Sequence, residues 1–398
     1  MKKILYVHYG DAWMRGSEVC LLNLMNSLDK RHYCPILWTN NPKLHHAAEE
    51  SGIVSQLSEF GVLLGWRGQR ASLSQYLGQI EQAETLIKQH HIDLVHVNSG
   101  APCQWIWRAA RDCKVPMLTQ LHSGYTLRDR LRLCLHLSPY LVTVSHAISQ
   151  PLLREGFPAE RLKVVHNGID LEALEAQPTR MVRSTLGLPM NSTVMASVGS
   201  LIHRKGMDRI IRALATLRTE HPDLHLLIIG DGPALPTLRK LAVQLDVEDK
   251  VHFVGEQHHV CGWLRGGVDL FVSSAREEAF GLVLAEAAAA GVPVIAPRVG
   301  GIPEVLQHGK SALFYDSEQP EQMAEHIECL LTNPSLAKTL AANAHTRVYE
   351  QFSLQTNTSN LINLYQQLLS QHARTCSSPR LMSSLKPLKA LSCSHILP

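Results

Sequence analysis

At 398 residues the chain has room for two or three domains of roughly 150 residues each, and it can bury a core without metals or disulfides. Hydrophobic residues make up 45% and charged residues 18%, with Gly 25 and Pro 20 spread along the length; this excludes an intrinsically disordered or collagen-like protein. Lys+Arg 38 against Asp+Glu 35 leaves +3, too little for a wholesale nucleic-acid binder.

The nine cysteines are odd in number and form no C-x-x-C pair, a usage that suits free thiols in a reducing compartment. The N-terminal apolar run, Ile4 to Val7, meets His8, Gly10 and Asp11. It is far shorter than the roughly 7–15 residues of a signal-peptide core. No stretch approaches the ~18 apolar residues of a spanning helix. A soluble cytoplasmic chain is expected.

Short aliphatic runs alternate with segments of helical period. Ile4–His8, Pro35–Trp38, Asp93–Val97, Met117–Leu121, Tyr140–Val144 and Leu162–His166 read as buried strands. Between them Leu21, Leu24, Met25 and Leu28 repeat at helical spacing. The pattern restarts with Val194–Val198, Leu224–Ile229, Val251–Val254, Leu270–Val272, Val294–Ala296 and Ala312–Phe314. Near-continuous apolar strands indicate parallel sheets covered on both faces. The restart lies beyond a polar, Pro-containing stretch, so it predicts two open, doubly wound α/β domains rather than a closed barrel. The boundaries are 1–176, a linker at 177–192, and 193–352. A last helix spans about 353–370, and 371–398, rich in Ser, Lys, Arg and Pro, reads as a disordered tail.

The segment Ala275-Arg276-Glu277-Glu278-Ala279-Phe280-Gly281-Leu282 follows an apolar strand and opens a helix that Gly291 and Pro293 end. Gly281 and Leu282 therefore sit at a helix start, where free N–H groups and the helix dipole suit a phosphate. Glu286 lies about one turn in, ~6–8 Å along at 1.5 Å per residue. That is roughly the step from a diphosphate to its ribose. Glu278, on the preceding loop, can meet hydroxyls beyond the phosphates. The plainer alternative is a helix-start carboxylate and a solvated helical face. Against it, Glu286 is the only charge between Phe280 and Arg298, and a charge in an apolar helix needs a partner.

The string Glu278-x7-Glu286 within EEAFGLVLAEAAAAGVPVIAPRVGGIPE resembles the signature of family-4 glycosyltransferases, retaining enzymes of the GT-B fold. Val198-Gly199 leading to Arg204-Lys205-Gly206, then Ile229-Gly230-Asp231-Gly232-Pro233, and His166-Asn167-Gly168-Ile169-Asp170 agree with it in order. The resemblance covers about residues 1–370. It implies two Rossmann-like domains facing a central cleft, the first binding acceptor and the second nucleotide sugar, with the last helix packing back toward the first. Lys205 and Arg204 would neutralise the donor diphosphate, with Gly199, Phe280, Gly281, Leu282, Glu286, Gly300 and Gly301 around it. No metal and no cofactor are implied beyond the nucleotide diphosphate sugar, and Asp-x-Asp occurs nowhere. Family members often carry Arg where Ser200 stands; either Arg204 substitutes for it or the diphosphate is held more weakly.

In the first half, Arg15-Gly16-Ser17-Glu18 opens a helix where the family shows Gly-Gly, so Arg15 replaces the first glycine and Gly16 remains. An ordinary helix start, with Ser17 as N-cap and Glu18 in the first turn, fits equally. His122 ends the strand Met117–Leu121, where the resemblance puts a histidine near the anomeric carbon, bonding a sugar hydroxyl rather than abstracting a proton. The adjacent pairs His45-His46, His90-His91 and His258-His259 point apart on any regular element and do not suggest a metal site. Leu127, Leu131, Cys134 and Leu135 share one side of a basic segment, with Arg128 and Arg132 on another. A core-facing helix is expected; a patch docking anionic lipid is the alternative.

The function implied is retaining transfer of a sugar from a nucleotide diphosphate to a hydroxyl of a glycan or lipid-linked acceptor, in surface polysaccharide or lipopolysaccharide assembly. The family offers no established carboxylate nucleophile, so front-face attack is favoured, the departing diphosphate oxygen helping to take the acceptor proton. An epimerase or phosphorylase on the same architecture, and a non-catalytic binding protein, remain as alternatives.

Overall fold

The computed structural model describes residues 1–64 and 70–377. Seven strands form the first sheet: β1 (Lys2–His8), β2 (Tyr33–Thr39), β3 (Val54–Leu57), β4 (Leu94–Val97), β5 (Met117–Leu121), β6 (Leu141–Thr143) and β7 (Leu162–Val164). Six form the second: β8 (Thr193–Val198), β9 (Leu224–Ile229), β10 (Val251–Phe253), β11 (Leu270–Val272), β12 (Val294–Pro297) and β13 (Leu313–Tyr315). Their orders are β3-β2-β1-β4-β5-β6-β7 and β10-β9-β8-β11-β12-β13, and every pairing within both sheets is parallel. Each sheet is open, so the barrel is excluded and two doubly wound domains stand.

The strand β3 had no signal in the sequence. It is a partly exposed edge strand, Val-Ser-Gln-Leu, with no apolar run to reveal it. The central strands are legible for the opposite reason: Ile4, Leu5, Tyr6 and Val7 are all fully buried, as are Leu226, Leu227 and Ile228.

Residues 177–192 are not a free linker. Val182–Leu186 is a short helix, and Arg180 N–H and Val182 N–H donate to the carbonyls of Gly262 and Gly266. The segment is thereby stitched to the second domain. The last helix also outruns its predicted end, spanning Leu354–Ser377; the rest of the predicted tail, 378–398, lies outside the described residues. This helix returns to the first domain. Its Tyr365 hydroxyl meets Tyr6 at 3.3 Å and His96 Nδ1 at 2.6 Å, and Thr358 meets Ser27 at 2.6 Å.

Glu304 ties the halves together. Its carboxylate accepts from the backbone N–H of His146 (2.8 Å) and Ala147 (2.9 Å), at the start of the first-domain helix His146–Arg154, and from His166 Nε2 (2.9 Å). An anion at a helix N-terminus is favoured by both the free N–H groups and the dipole. Burial works to raise the Glu304 pKa, but these three donors outweigh it and hold it below the usual 4.5. The latch is therefore complete above that value and lost as pH falls through the lowered folded pKa. Glu304→Gln is expected to cost about 1–3 kcal/mol of stability near pH 7. In chemical denaturation the gap from wild type should close toward acid, where Glu304 itself becomes neutral.

Candidate active site

In each sheet the strand order reverses beside the first strand, between β1 and β4 and between β8 and β11. Open parallel sheets bind ligands outside the carboxyl ends of strands at such switch points. The candidate residues leave those ends: His122 after β5, Gly199 after β8, Glu278 after β11, and Gly300 and Gly301 after β12.

Gly281 precedes the helix Leu282–Ala289 as its N-cap. The loop before it is braced from two sides. Arg276 clamps Asp208 through two hydrogen bonds of 2.8 and 2.7 Å and reaches the His203 carbonyl at 2.9 Å. Gly301 N–H donates to the Glu278 carbonyl at 3.1 Å. At Gly300, φ is +51°, and a Cβ would stand 1.7 Å from that same carbonyl oxygen. Only glycine lets the two loops touch here.

Lys205 and Glu278, 73 residues apart, are brought together. Nζ donates to Oε2 at 2.5 Å, while Oε1 accepts the Ala279 N–H at 3.1 Å. Arg204 lies alongside, exposed, and bonds the Glu277 carbonyl at 3.2 Å. Gly16 comes from the other domain: a Cβ there would stand 2.8 Å from Leu282 Cδ1. The helix start thus faces the first domain directly. Arg15, the departure beside Gly16, places its guanidinium over the exposed Trp13 ring, 5.1 Å from the centroid.

Glu286 is different. Its carboxylate has no hydrogen-bond or ion-pair partner among the described residues, and burial alone pushes its pKa up to about 7. A carboxylate so placed accepts hydroxyl donors strongly, having no others to lose.

Phe280 is a correction. Its ring, placed around the diphosphate by the resemblance, is buried between His166 (centroids 5.7 Å) and Phe352 (5.6 Å) and anchors the loop in the core. The segment Leu127–Arg132 is a second one. The helix there leaves Leu127 53% and Leu131 52% exposed and buries Arg130 to 6%, where it pairs with Glu155. The predicted stripe is thereby split: the helix ends at Arg132, and Leu135 beyond it is buried beside Leu133.

Comparisons with known proteins identify the family and the fold. Residues 180–347 match the family described as glycosyl transferases group 1, and residues 14–173 match Glycosyltransferase Family 4. A GDP-mannose-dependent alpha-(1-6)-phosphatidylinositol monomannoside mannosyltransferase of Mycobacterium tuberculosis is 30% identical over 301 residues, 69% of this chain and 76% of the relative. N-acetyl-alpha-D-glucosaminyl L-malate synthase of Bacillus anthracis is 28% identical over 309 residues, 75% and 79% of the two chains. Among solved structures, HepE of Anabaena in complex with UDP and glucose superposes with a TM-score of 0.79 at 21% identity, covering 92% of this chain and 100% of that one. The chain belongs to the family-4 glycosyltransferases, with the GT-B fold.

For this glycosyltransferase, three further polar residues sit at the first domain's switch point. His8 ends β1, Glu18 lies in the first turn of the helix Gly16–Ser27, and Asn98 follows β4. All three are buried. Asn98 Oδ1 accepts from His122 Nε2 at 2.9 Å. Sequence reading passed them over, since His8 and Asn98 are 90 residues apart and only β1–β4 pairing joins them. A polar residue ending each of two apolar strands was the available signal. Two His/Glu clusters also have metal-compatible spacing among the described residues: His146, His166 and Glu304, and Glu220, His221 and Glu328. The first is the domain latch, its carboxylate already satisfied. No helix in the described residues is long and apolar enough to cross a membrane.

Glu286 makes a stability prediction of known sign. An unfolded glutamate ionises near 4.5, the folded one near 7, so the native state loses stability as pH rises through that window and does not regain it above. Glu286→Gln should therefore raise the melting temperature at pH 8 while leaving it nearly unchanged at pH 4, as scanning calorimetry would show. Such a gain on removing a polar side chain marks a residue kept for binding rather than for folding.

Proposed function

We propose that this glycosyltransferase is a retaining, metal-independent enzyme of the cytoplasm. It transfers a sugar from a nucleotide diphosphate sugar to a hydroxyl of a glycan or lipid-linked acceptor, in surface polysaccharide or lipopolysaccharide assembly. One observation carries the reading. The helix start at Gly281–Leu282 faces Gly16 across the domains, with the Lys205–Glu278 pair before it and the unpartnered Glu286 one turn beyond. Diphosphate oxygens take the N–H groups and the positive end of the helix, ribose hydroxyls donate to Glu286, and sugar hydroxyls meet Glu278.

The leaving diphosphate gains negative charge as the glycosidic bond breaks. Lys205, with Arg204 at the rim, supplies positive charge where it develops, which lowers the barrier. Glu278 is poorly placed as a nucleophile, because both of its oxygens already accept hydrogen bonds. That supports attack by the acceptor on the face the diphosphate leaves, its proton passing to the departing oxygen. His122, half-buried and with its pKa lowered to about 4 by burial, is neutral at pH 7 and serves as a hydrogen-bond partner to a sugar hydroxyl.

The relatives and neighbours support the substrate class by their names alone: one is GDP-mannose-dependent, one was crystallised with UDP and glucose, and another, WaaG, is involved in lipopolysaccharide biosynthesis. Outward-facing Leu127 and Leu131 beside Arg128 suit peripheral contact with an anionic bilayer carrying the acceptor.

A thermal-shift series with UDP-, GDP- and ADP-sugars tests the donor. The true one should stabilise by about 2.7 kcal/mol at a hundred times its Kd; no response to any would remove the reading. With that donor, Lys205→Ala should lower kcat by roughly 10²–10³. The product's anomeric configuration by NMR should match the donor's, and EDTA should leave the rate unchanged. Leu127→Asp with Leu131→Asp should abolish co-flotation with phosphatidylglycerol vesicles and spare transfer to a water-soluble acceptor.

A further inference from the structure

The buried residues behind His122 form a continuous chain. Glu18 Oε1 meets His8 Nε2 at 3.0 Å, His8 Nδ1 meets Asn98 Nδ2 at 3.1 Å, and Asn98 Oδ1 meets His122 Nε2 at 2.9 Å. Each imidazole nitrogen can be donor or acceptor, so the pattern needs an outside reference. The backbone supplies two. Asn98 Nδ2 also lies 3.3 Å from the Ser17 carbonyl oxygen, which only accepts, so that end of the amide is the NH2. At the far end, Glu18 Oε2 takes the Arg15 backbone N–H at 3.1 Å and the Ser17 hydroxyl at 3.0 Å, and the carboxylate accepts at every contact.

The proton positions then follow in turn. Asn98 NH2 donates to His8 Nδ1, which must carry a lone pair, so His8 holds its proton on Nε2 and donates to Glu18. Asn98 Oδ1 can only accept, so His122 carries its proton on Nε2. Its Nδ1 is left with a lone pair and no partner among the described residues. We propose that Glu18, through His8 and Asn98, fixes the tautomer of His122 so that Nδ1 presents an acceptor to a hydroxyl of the bound sugar. These three are positioning residues, and the assignment rests on the reading of His122 as a sugar contact given above.

The chain is built to keep this state. Burial would raise the Glu18 pKa, but the hydrogen bonds from His8 and Ser17 bring it down to about 2, so the carboxylate is an acceptor throughout the working range. His122 is held neutral by burial, with the Glu18 charge opposing it. His96, the other imidazole near His122, is itself held neutral by burial, its pKa down to about 3. A neutral ring has only two tautomers, and the amide decides between them. The consequence is a specificity rule: the sugar must offer a hydroxyl proton at this point, so its deoxy or O-methyl analogue is a poor donor.

Glu18→Gln tests the chain with almost no change of shape. The Arg15 N–H cannot turn away, so the glutamine carbonyl must take the Oε2 place and its NH2 must face His8. His8 then accepts at Nε2 and carries its proton on Nδ1. Asn98 then gives up its 3.3 Å bond to the Ser17 carbonyl, the longest contact in the chain, and turns its oxygen toward His8 and its NH2 toward His122, whose proton moves to Nδ1. The acceptor presented to the sugar becomes a donor.

Long-range 15N–1H correlation on histidine-labelled full-length protein reads this directly, with His122 assigned by the signals lost in His122→Gln. Wild type should show Nε2–H and Glu18→Gln should show Nδ1–H. In parallel, kcat for transfer should fall about tenfold to a hundredfold, with the KM for donor within about twofold of wild type. Adding Asn98→Asp to Glu18→Gln moves the lost negative charge to the middle of the chain. Asp at 98 accepts from both rings, so His122 Nε2–H and most of kcat should return, which a general packing defect would not permit. Should Glu18→Gln not fold, Asn98→Leu cuts the chain at its centre and should leave His122 a mixture of both tautomers. An unchanged tautomer in Glu18→Gln, an inverted one with full kcat, or no recovery in the double variant overturns the proposal. If the tautomers behave as described but wild type transfers no sugar from any nucleotide donor, the chain stands as built and the sugar contact at His122, with the transfer reading, falls.

Discussion

A carboxylate taken out of water must find donors or give up its charge, and this rule organises the cleft. Glu304 finds two N–H groups and an imidazole across the domain boundary, Glu278 finds Lys205, and Glu18 finds His8 and a serine. Each of those satisfied carboxylates has a mechanical result: a latch, a braced loop, a fixed ring. Glu286 alone among them has nothing in the described residues and drifts toward neutrality at about 7. The contrast separates groups that hold the protein from the one that awaits something else, more sharply than any of their positions in the sequence.

The second domain's share of the site was legible because it is local. From Ala275 to Glu286 one strand end, one loop and one helix start follow directly in the chain, so spacing alone sets the geometry. Parallel-strand periodicity likewise exposes every strand that is buried on both faces and misses β3, whose edge position leaves it polar. In the first domain the sequence singled out His122 and Gly16 but not the residues behind His122. His8, Glu18, Asn98 and His122 come from four segments, and what unites them is the crossing from β1 to β4 and β5, a choice of strand order that no residue announces. Phe280 and the Leu127–Arg132 helix show the limit from another side. Periodicity finds a stripe or an apolar side chain; which surface the core has already filled decides where it points.

The same strand order explains why the two halves of the chemistry can be so unequal in construction. On the proposed function the second domain offers a diphosphate backbone N–H groups, a helix dipole and the Lys205 ammonium, all of which suit a charged ligand that changes during reaction. The first domain uses a chain of fixed protons anchored at two backbone atoms, the Ser17 carbonyl and the Arg15 N–H. A departing diphosphate needs a field that strengthens as charge grows, whereas a sugar needs only to be held still.

Holding the two in register falls to contacts that lie outside the cleft. Gly16 against Leu282 permits close approach but supplies little attraction, and the attraction comes from Glu304, from the Phe280–His166–Phe352 cluster, and from the last helix returning to β1 and β4 through Tyr365. Tyr365 bonds both Tyr6 and His96, one residue type on each of the two strands that define the first switch point. The far end of the chain is thus seated on the strand pair that assembles the His122 support. A change in that helix's packing can then alter the support of His122 without touching any residue of the cleft, since His8 ends β1 and Asn98 follows β4.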